Sequence, residues 1–251
     1  MPGFCYYMNY YKNLLQSIIE LIFPANCFGC GIEGVWLCEK CADLIPFFPN
    51  NICLWCNKKI EGKNMCSACQ NSSQLLSITA VTSYQNPLFQ DILHNLKYNF
   101  ATSTINAFEL LLIKYFKQNK TNLINNNSII VPIPLHKKRL AERGFNQSEL
   151  IGIQIAKIMN VEINTKILQR TKNTRSQMTL NKEDRLKNMK NSFTCPDSRQ
   201  VIGKNILLVD DVLTTGATLN EAALALKAAG SSSVRAIVLA KGGEIVNLPR
   251  S

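Results

Sequence analysis

The chain has 251 residues, 46% of them hydrophobic, and carries 28 lysines and arginines against 17 acids, a net charge of +11. That length holds one α/β domain and one small module, and no run of 18 apolar residues occurs, so no transmembrane helix is expected. The charge is uneven: residues 1–74 are neutral overall, whereas residues 129–200 hold fourteen basic and six acidic side chains, a field suited to a polyanion such as pyrophosphate or nucleic acid.

In chain order, residues 1–23 read as an amphipathic helix. Gln16 and Glu20 interrupt its apolar run and only Lys12 precedes it, a poor signal peptide, so a cytoplasmic protein is expected. Cys5 stands apart as a plain thiol. Residues 24–71 form a first module with eight of the ten cysteines in four Cys-x2-Cys pairs: Cys27/Cys30, Cys38/Cys41, Cys53/Cys56 and Cys66/Cys69. Each pair offers two thiolates from one tight knuckle, and two pairs complete a tetrahedral Zn2+ site, so two structural sites are expected. Disulfides suit secreted proteins, redox Cys-x-x-Cys motifs come singly, and Fe–S clusters use other spacings. The loops between consecutive knuckles are seven and nine residues long, which favours two consecutive ribbons over a cross-braced pairing. Gln70 to Gln74 reads as a linker into a second domain, residues 75–251.

That domain opens with a strand over Ser77–Tyr84, a helix from Pro87 to about Tyr98 and another from about Thr104 to Lys117. His94 falls on a polar face and reads as a surface residue. Ser128–Ile133 is the next strand, ended by two prolines. Its exit, Val131-Pro-Ile-Pro-Leu-His-Lys-Lys-Arg-Leu-Ala-Glu-Arg-Gly-Phe-Asn-Gln147, reads as a basic loop with Lys137, Lys138, Arg139 and Arg143. Asn146 and Glu149 cap a helix to about Met159. Val161–Leu168 reads as a strand. Arg170 to Leu180 then suits a mobile basic loop, with a short helix from Asn181 to Asn191.

Ile206-Leu-Leu-Val-Asp-Asp-Val-Leu-Thr-Thr-Gly-Ala-Thr218 is the most informative stretch. Four apolar residues make a buried strand, two acids stand at its end, and a turn of small residues leads into a helix from Leu219 to Ala229. Thr218 and Glu221 read as its capping box and Gly230 as its stop. Such a turn holds a phosphate on backbone N–H groups while carboxylates accept from ribose hydroxyls. No Walker or dinucleotide glycine motif occurs, and the 40 residues after Asp211 are too few for a receiver domain. Ser233–Ala240 is a final strand before a short tail.

The 206–218 stretch resembles the phosphoribosyl pyrophosphate (PRPP) motif of type I phosphoribosyltransferases. The cysteine-rich module, Val131 to His136, Arg143 to Gln147, then Arg170, Thr174, Gln177, Leu180, Arg185, Asn188 and Phe193 resemble, in that order, the ComF/GntX family of competence proteins. Lys172 departs from an expected arginine. The resemblance implies a type I phosphoribosyltransferase-like parallel sheet flanked by helices (an α/β fold) behind a double zinc ribbon. It also implies PRPP and single-stranded DNA binding, a role in DNA uptake, and a competence helicase as partner. Residue by residue, Asp210 and Asp211 would hold the ribose hydroxyls as the catalytic pair. Thr214, Thr215, Gly216, Ala217 and Thr218 would cradle the 5′-phosphate. Lys137, Lys138, Arg139 and Arg143 would meet pyrophosphate with Mg2+, and Arg170, Lys172, Gln177 and Arg185 would form a lid. Two functions follow from these features: phosphoribosyl transfer to an acceptor, or PRPP-dependent nucleic-acid binding. Residues 170–192 contain no aromatic side chain, so DNA binding there would be led by the backbone and sensitive to salt.

Overall fold

The computed structural model describes residues 24–61, 65–98, 102–119, 122–172 and 190–243. Four strands form a parallel sheet in the order β1 (Ser77–Ser83), β6 (Ser233–Lys241), β5 (Asn205–Leu213) and β2 (Ser128–Pro132). A separate antiparallel pair joins β3 (Gln169–Arg170) to β4 (Phe193–Thr194). The long strands are almost wholly buried because helices cover both faces of the sheet. Alternation along β5 sends Ile206 and Leu208 to one core and Leu207 and Val209 to the other.

The first core takes helix α7 (Ala217–Ala228) through Leu219, Ala222, Ala223 and Leu226. The second takes α3 (Pro87–Tyr98), α4 (Ile105–Gln118) and α6 (Gln147–Met159) through Phe89, Leu96, Phe108, Leu112 and Ile151. The chain thus leaves β2 toward one face and β5 toward the other. A crevice opens where neighbouring strands part in this way, outside their carboxyl ends.

The cysteine module divides between the two cores. Cys27, Leu37, Cys41 and Ile45 of its first half, with helix α1 (Glu39–Ala42), join the face of α3 and α4. Phe48, Leu54, Met65 and Cys69 of its second half, with α2 (Ser67–Asn71), join the face of α7. Thr82 Oγ1 on β1 donates to the Pro46 carbonyl at 2.6 Å, between the halves.

Four expectations change. The basic stretch after β2 is a helix, α5 (Lys137–Arg143): the His136 ring nitrogen accepts from the Lys138 N–H at 3.2 Å to start it, and Gly144 at φ 80° stops it. Residues 161–168 make only an isolated bridge, Ile163 to Ile130 beside β2, because the Asn164 side chain accepts from Lys166 N–H and turns the chain away. Strand β5 does not stop before the acids but runs through Asp210 and Asp211 to Leu213. Helix α7 begins at Ala217 after Gly216 (φ 78°), with no side-chain cap, so Thr218 lies inside it; Glu221 instead accepts from Asn191 N–H at 2.9 Å. The expected helix at 1–23 and residues 181–189 of the one expected at 181–191 lie outside the described residues, and Lys190 and Asn191 form a turn.

Candidate functional site

At the end of β5 both Asp210 and Asp211 meet the start of α6, Asp210 through Ser148 and Asp211 through Gln147. The Ser148 hydroxyl and the Asp211 N–H donate to Asp210 Oδ1 at 2.9 and 3.0 Å. Asp211 Oδ2 takes an ion pair from Lys97 at 2.5 Å and a hydrogen bond from Gln147 Nε2 at 3.3 Å, while its Oδ1 accepts from Val212 N–H at 2.6 Å. Both Gln147 and Ser148 are buried because they open α6, whose start is fixed by Asn146: its Oδ1 accepts from Ser148 N–H and its Nδ2 donates to the Ile133 carbonyl. Helix α6 lies close on the sheet because it carries Gly152. A Cβ there would come within 3.0 Å of Ile163 and 3.2 Å of Pro132.

The two acids differ in charge behaviour. Burial, and then the charge of Asp211, push Asp210 up to about 7. Burial opposes ionisation of Asp211 as well, but the Lys97 ammonium outweighs it and holds the group below the ordinary carboxylate value. Lys97 is raised in return: burial disfavours its charge, and Asp211 more than compensates.

Around this pair lies a cavity of about 210 Å³ lined by Lys97, Tyr98, Arg139, Arg143, Arg170, Asp210, Asp211, Thr214 and Thr218, among others. Arg143 donates to Gln147 Oε1 at 2.6 Å and lies 5.7 Å from the Tyr98 ring centre. Arg170, on β3, lies over the Phe193 ring at 5.6 Å. Burial, and then the positive charge of Arg139, hold its guanidinium below the ordinary arginine value. Three guanidiniums thus line one cavity, and an anion among them would relieve their mutual repulsion.

Of the residues singled out in the sequence, Asp210, Asp211, Thr214, Thr218, Arg139, Arg143 and Arg170 line this cavity. Thr215 lines the neighbouring one, and its hydroxyl accepts from Ala217 N–H at 3.4 Å. Gly216 and Ala217 begin α7 beside them. Lys137 and Lys138 are exposed on α5 and do not line the cavity, since a helix sends them away from Arg139 and Arg143. Lys172 donates to the Lys190 carbonyl at 2.7 Å; Gln177 and Arg185 lie outside the described residues. Sequence reasoning missed Lys97, Tyr98, Gln147 and Ser148. Only the tertiary fold brings α3 and α6 to the acids, although a lysine at the last turn of an apolar-faced helix was a signal.

The adjoining cavity, about 570 Å³, shares Lys97, Val212 and Thr214 with the first. Its walls include Trp55 and Tyr84, and the buried Lys241, whose ammonium donates to the Gly242 carbonyl at 2.6 Å.

The cysteines form two clusters, Cys27/Cys30/Cys38/Cys41 and Cys53/Cys56/Cys66/Cys69, with ligand atoms within 4.8 Å of one another. The consecutive pairing holds. Cys30 and Cys38 sulfurs are 3.7 Å apart and Cys56 and Cys66 sulfurs 3.8 Å, close to the roughly 3.8 Å edge of a tetrahedron with Zn–S near 2.3 Å. The knuckles repeat one turn: Gly31 N–H donates to the Cys27 carbonyl and Asn57 N–H to that of Cys53, both at 2.8 Å, with Gly31 and Asn57 left-handed at φ 75° and 61°. Backbone N–H groups of Cys38 and Cys66 reach the sulfurs of Cys27 and Cys53 at 3.3 and 3.4 Å. Burial opposes thiolate formation there, yet these and neighbouring N–H groups bring Cys27 down to about 6 and Cys53 to about 7. The donor sets therefore fit Zn2+.

Comparison with known proteins agrees with this geometry. The Phosphoribosyl transferase domain family matches residues 149–250, and the Double zinc ribbon domain family matches residues 18–70. The fold and the clusters thus define a phosphoribosyltransferase-like domain behind a double zinc ribbon. Competence protein F of Haemophilus influenzae is 26% identical over 223 residues, 81% of this chain and 96% of that protein. The DNA utilization protein YhgH of Escherichia coli is 28% identical over 222 residues (86% and 96%), and Competence protein ComFC of Bacillus subtilis 29% over 203 residues (78% and 80%). The chain is thus similar over most of its length to these competence and DNA utilization proteins, and it carries both domains. Among solved structures, an allosteric regulatory enzyme of purine biosynthesis is 15% identical at a TM-score of 0.35, covering 54% of this chain and 26% of that one. Adenine phosphoribosyltransferase of Leishmania donovani is 14% identical at a TM-score of 0.33, covering 59% and 68%.

Proposed function

We propose that the chain binds PRPP in the 210 Å³ cavity and acts in the handling of single-stranded DNA during its uptake or use. The observation that carries the PRPP reading is the gathering of two acids and three guanidiniums around one cavity. Asp210 and Asp211, held by Ser148 and Lys97, line it together with Arg139, Arg143 and Arg170. The carboxylates would accept from the ribose hydroxyls, the start of α7 from Thr214 to Thr218 would take the 5′-phosphate, and the guanidiniums would take pyrophosphate. Bound Mg2+ would neutralise charge between ribose and pyrophosphate oxygens. Lys137 and Lys138, exposed on the same basic helix, extend the positive surface outward and suit a nucleic-acid backbone. The names of the relatives, Competence protein F and DNA utilization protein YhgH, support the DNA role.

A second reading, phosphoribosyl transfer, is favoured by the adjoining 570 Å³ cavity, which shares Lys97, Val212 and Thr214 with the first and has room for an acceptor. There the three arginines would stabilise departing pyrophosphate. Calorimetric titration of zinc-loaded protein with Mg2+ and PRPP, with and without a short single strand, separates these readings. PRPP binding that shifts DNA affinity supports regulated DNA binding. PRPP binding without such a shift, with slow release of pyrophosphate on adding an acceptor, supports transfer. An Asp210→Asn, Asp211→Asn double variant is expected to lose PRPP binding with zinc content unchanged; unaltered affinity there would sink the assignment.

A further inference from the structure

Of the large aromatics in the cysteine module, most are spent on internal packing. Phe28 and Trp36 stack on each other with ring centres 5.7 Å apart, Phe47 meets Tyr115 edge-on, and Phe48 is buried. Trp55 differs. It lies between two cysteines of the second cluster, half-buried, and its ring rests on the phosphate loop. A Cβ added to Gly216 would come within 2.5 Å of Trp55 Cζ3 and 2.8 Å of Cη2. Gly216 is the left-handed residue, φ 78°, that turns β5 into α7 and points the first N–H groups of the helix at the site. A side chain anchored in the second ribbon therefore forms one wall of the turn that presents the phosphate loop.

The ribbon is fastened to the helix that follows this turn in two further ways. Leu54, beside Trp55, is buried in the same core as Leu219, Ala222 and Ala223 of α7. Gln74 N–H, just beyond the ribbon, donates to Asn220 Oδ1 at 3.0 Å. The first ribbon has a different attachment. Its Glu39 and Asp43 pair with Lys114 of α4, and Gly29 faces Leu88 of α3. None of its residues lines either cavity beside the phosphate loop.

We infer that the metal of the Cys53/Cys56/Cys66/Cys69 site, and not that of the first site, sets the conformation of the phosphate loop, with Trp55 as the positioning residue. The four sulfurs hold the knuckle, the knuckle holds Trp55, and Trp55 closes the space into which the turn at Gly216 would otherwise relax. The ligand consequence rests on the PRPP reading above; the conformational consequence does not.

The test compares full-length Cys56→Ser and Cys30→Ser, each losing one exposed ligand from one cluster, with Trp55→Leu, which removes the ring and keeps all eight sulfurs. Zinc content and amide hydrogen exchange over residues 213–219 are read first. Trp55→Leu is expected to keep both zinc ions and to speed exchange in this segment about tenfold, Cys56→Ser to do the same with one zinc lost, and Cys30→Ser to lose one zinc with exchange there unchanged. Equal effects of the two cysteine variants, or unchanged exchange in zinc-replete Trp55→Leu, overturns the inference. If Cys56→Ser also exposes Ile206–Val209 of the core strand, the zinc-replete Trp55→Leu alone decides. The PRPP arm then measures affinity, expected to fall about tenfold in Trp55→Leu and to hold in Cys30→Ser. Absence of PRPP binding by the unaltered protein would defeat the proposed function and leave the exchange result standing.

Discussion

Lys97 illustrates how one cation organises two neighbouring acids. It pairs directly with Asp211, while Asp210, bonded to a hydroxyl and an N–H and helped by Lys97 only at longer range, bears the cost of burial. Removing one partner of such a pair leaves a buried charge unmatched. Lys97→Met is therefore expected to cost about 3 kcal/mol at pH 7, and distinctly less near pH 4, where Asp211 freed of its partner takes up a proton. Urea unfolding at the two pH values measures the difference. In the unaltered protein the two acids act oppositely on stability. Asp210, raised to about 7, binds its proton more tightly folded than unfolded, so its contribution weakens as pH rises from the ordinary carboxylate value through about 7. Asp211, depressed, contributes stability that is present above the ordinary value and is lost as pH falls through its lower folded value. If ribose hydroxyls need Asp210 as a carboxylate, PRPP affinity should rise from pH 6 to pH 8, and Asp210→Asn should bind weakly and without that rise. Calorimetry across the range checks this.

Among the elements, α6 is the one on which the site turns. Its N-terminal residues carry Gln147 and Ser148 to the acids, and Gly152 one turn later lets it lie against Pro132 and Ile163. Gly152→Val would drive methyl groups into those neighbours. An overpacked core of this kind costs about 1–3 kcal/mol, and here the displaced helix would also loosen Ser148 from Asp210. The expected result is a lowered melting temperature together with weaker PRPP binding, whereas Ala at the same place should be milder on both counts. Helix α5 shows why spacing misled at this scale. Its four basic residues look equivalent in a loop, but a helix divides them, Arg139 and Arg143 inward and Lys137 and Lys138 outward. Phosphate-backbone contacts are then expected from the outward pair: Lys137→Ala with Lys138→Ala should lower single-strand affinity and the steepness of its salt dependence, with PRPP affinity retained. A titration series in rising salt reads both.

At the scale of the whole molecule, the cysteine module is divided between the two faces of the sheet, each half entering a different hydrophobic core. Metal removal is therefore expected to reach beyond the ribbons. Structural zinc contributes roughly 10–16 kcal/mol to small zinc-finger peptides, and here Leu54, Met65 and Cys69 on one side and Leu37 and Ile45 on the other depend on it for their placement. Chelation should release zinc with loss of packing on both faces, seen as a lowered melting temperature and a fall in near-UV circular dichroism; a domain that melts unchanged after complete zinc loss would show the ribbons to be appendages. Among the described residues no helix is long and apolar enough to cross a membrane.

The amino-acid sequence determined the features whose cause is local. Eight cysteines at knuckle spacing specify two clusters, and the short connecting loops favour the consecutive pairing that the structure has. The apolar run before Asp210 specifies a buried strand, and the small residues after it specify the turn. It did not determine what surrounds the acids. Lys97 lies more than a hundred residues from Asp211 and Ser148 more than sixty from Asp210, and neither pairing leaves a mark in local composition. The length of β5 was misjudged for a related reason: its neighbours β2 and β6 pair it in register, and pairing with β6 continues to Leu213 beyond the acids, overriding their poor strand propensity. Only the tertiary structure, through long-range pairing and desolvation, decided which cation answers which acid, which arginines line the cavity, and that Trp55 rests on the turn at Gly216.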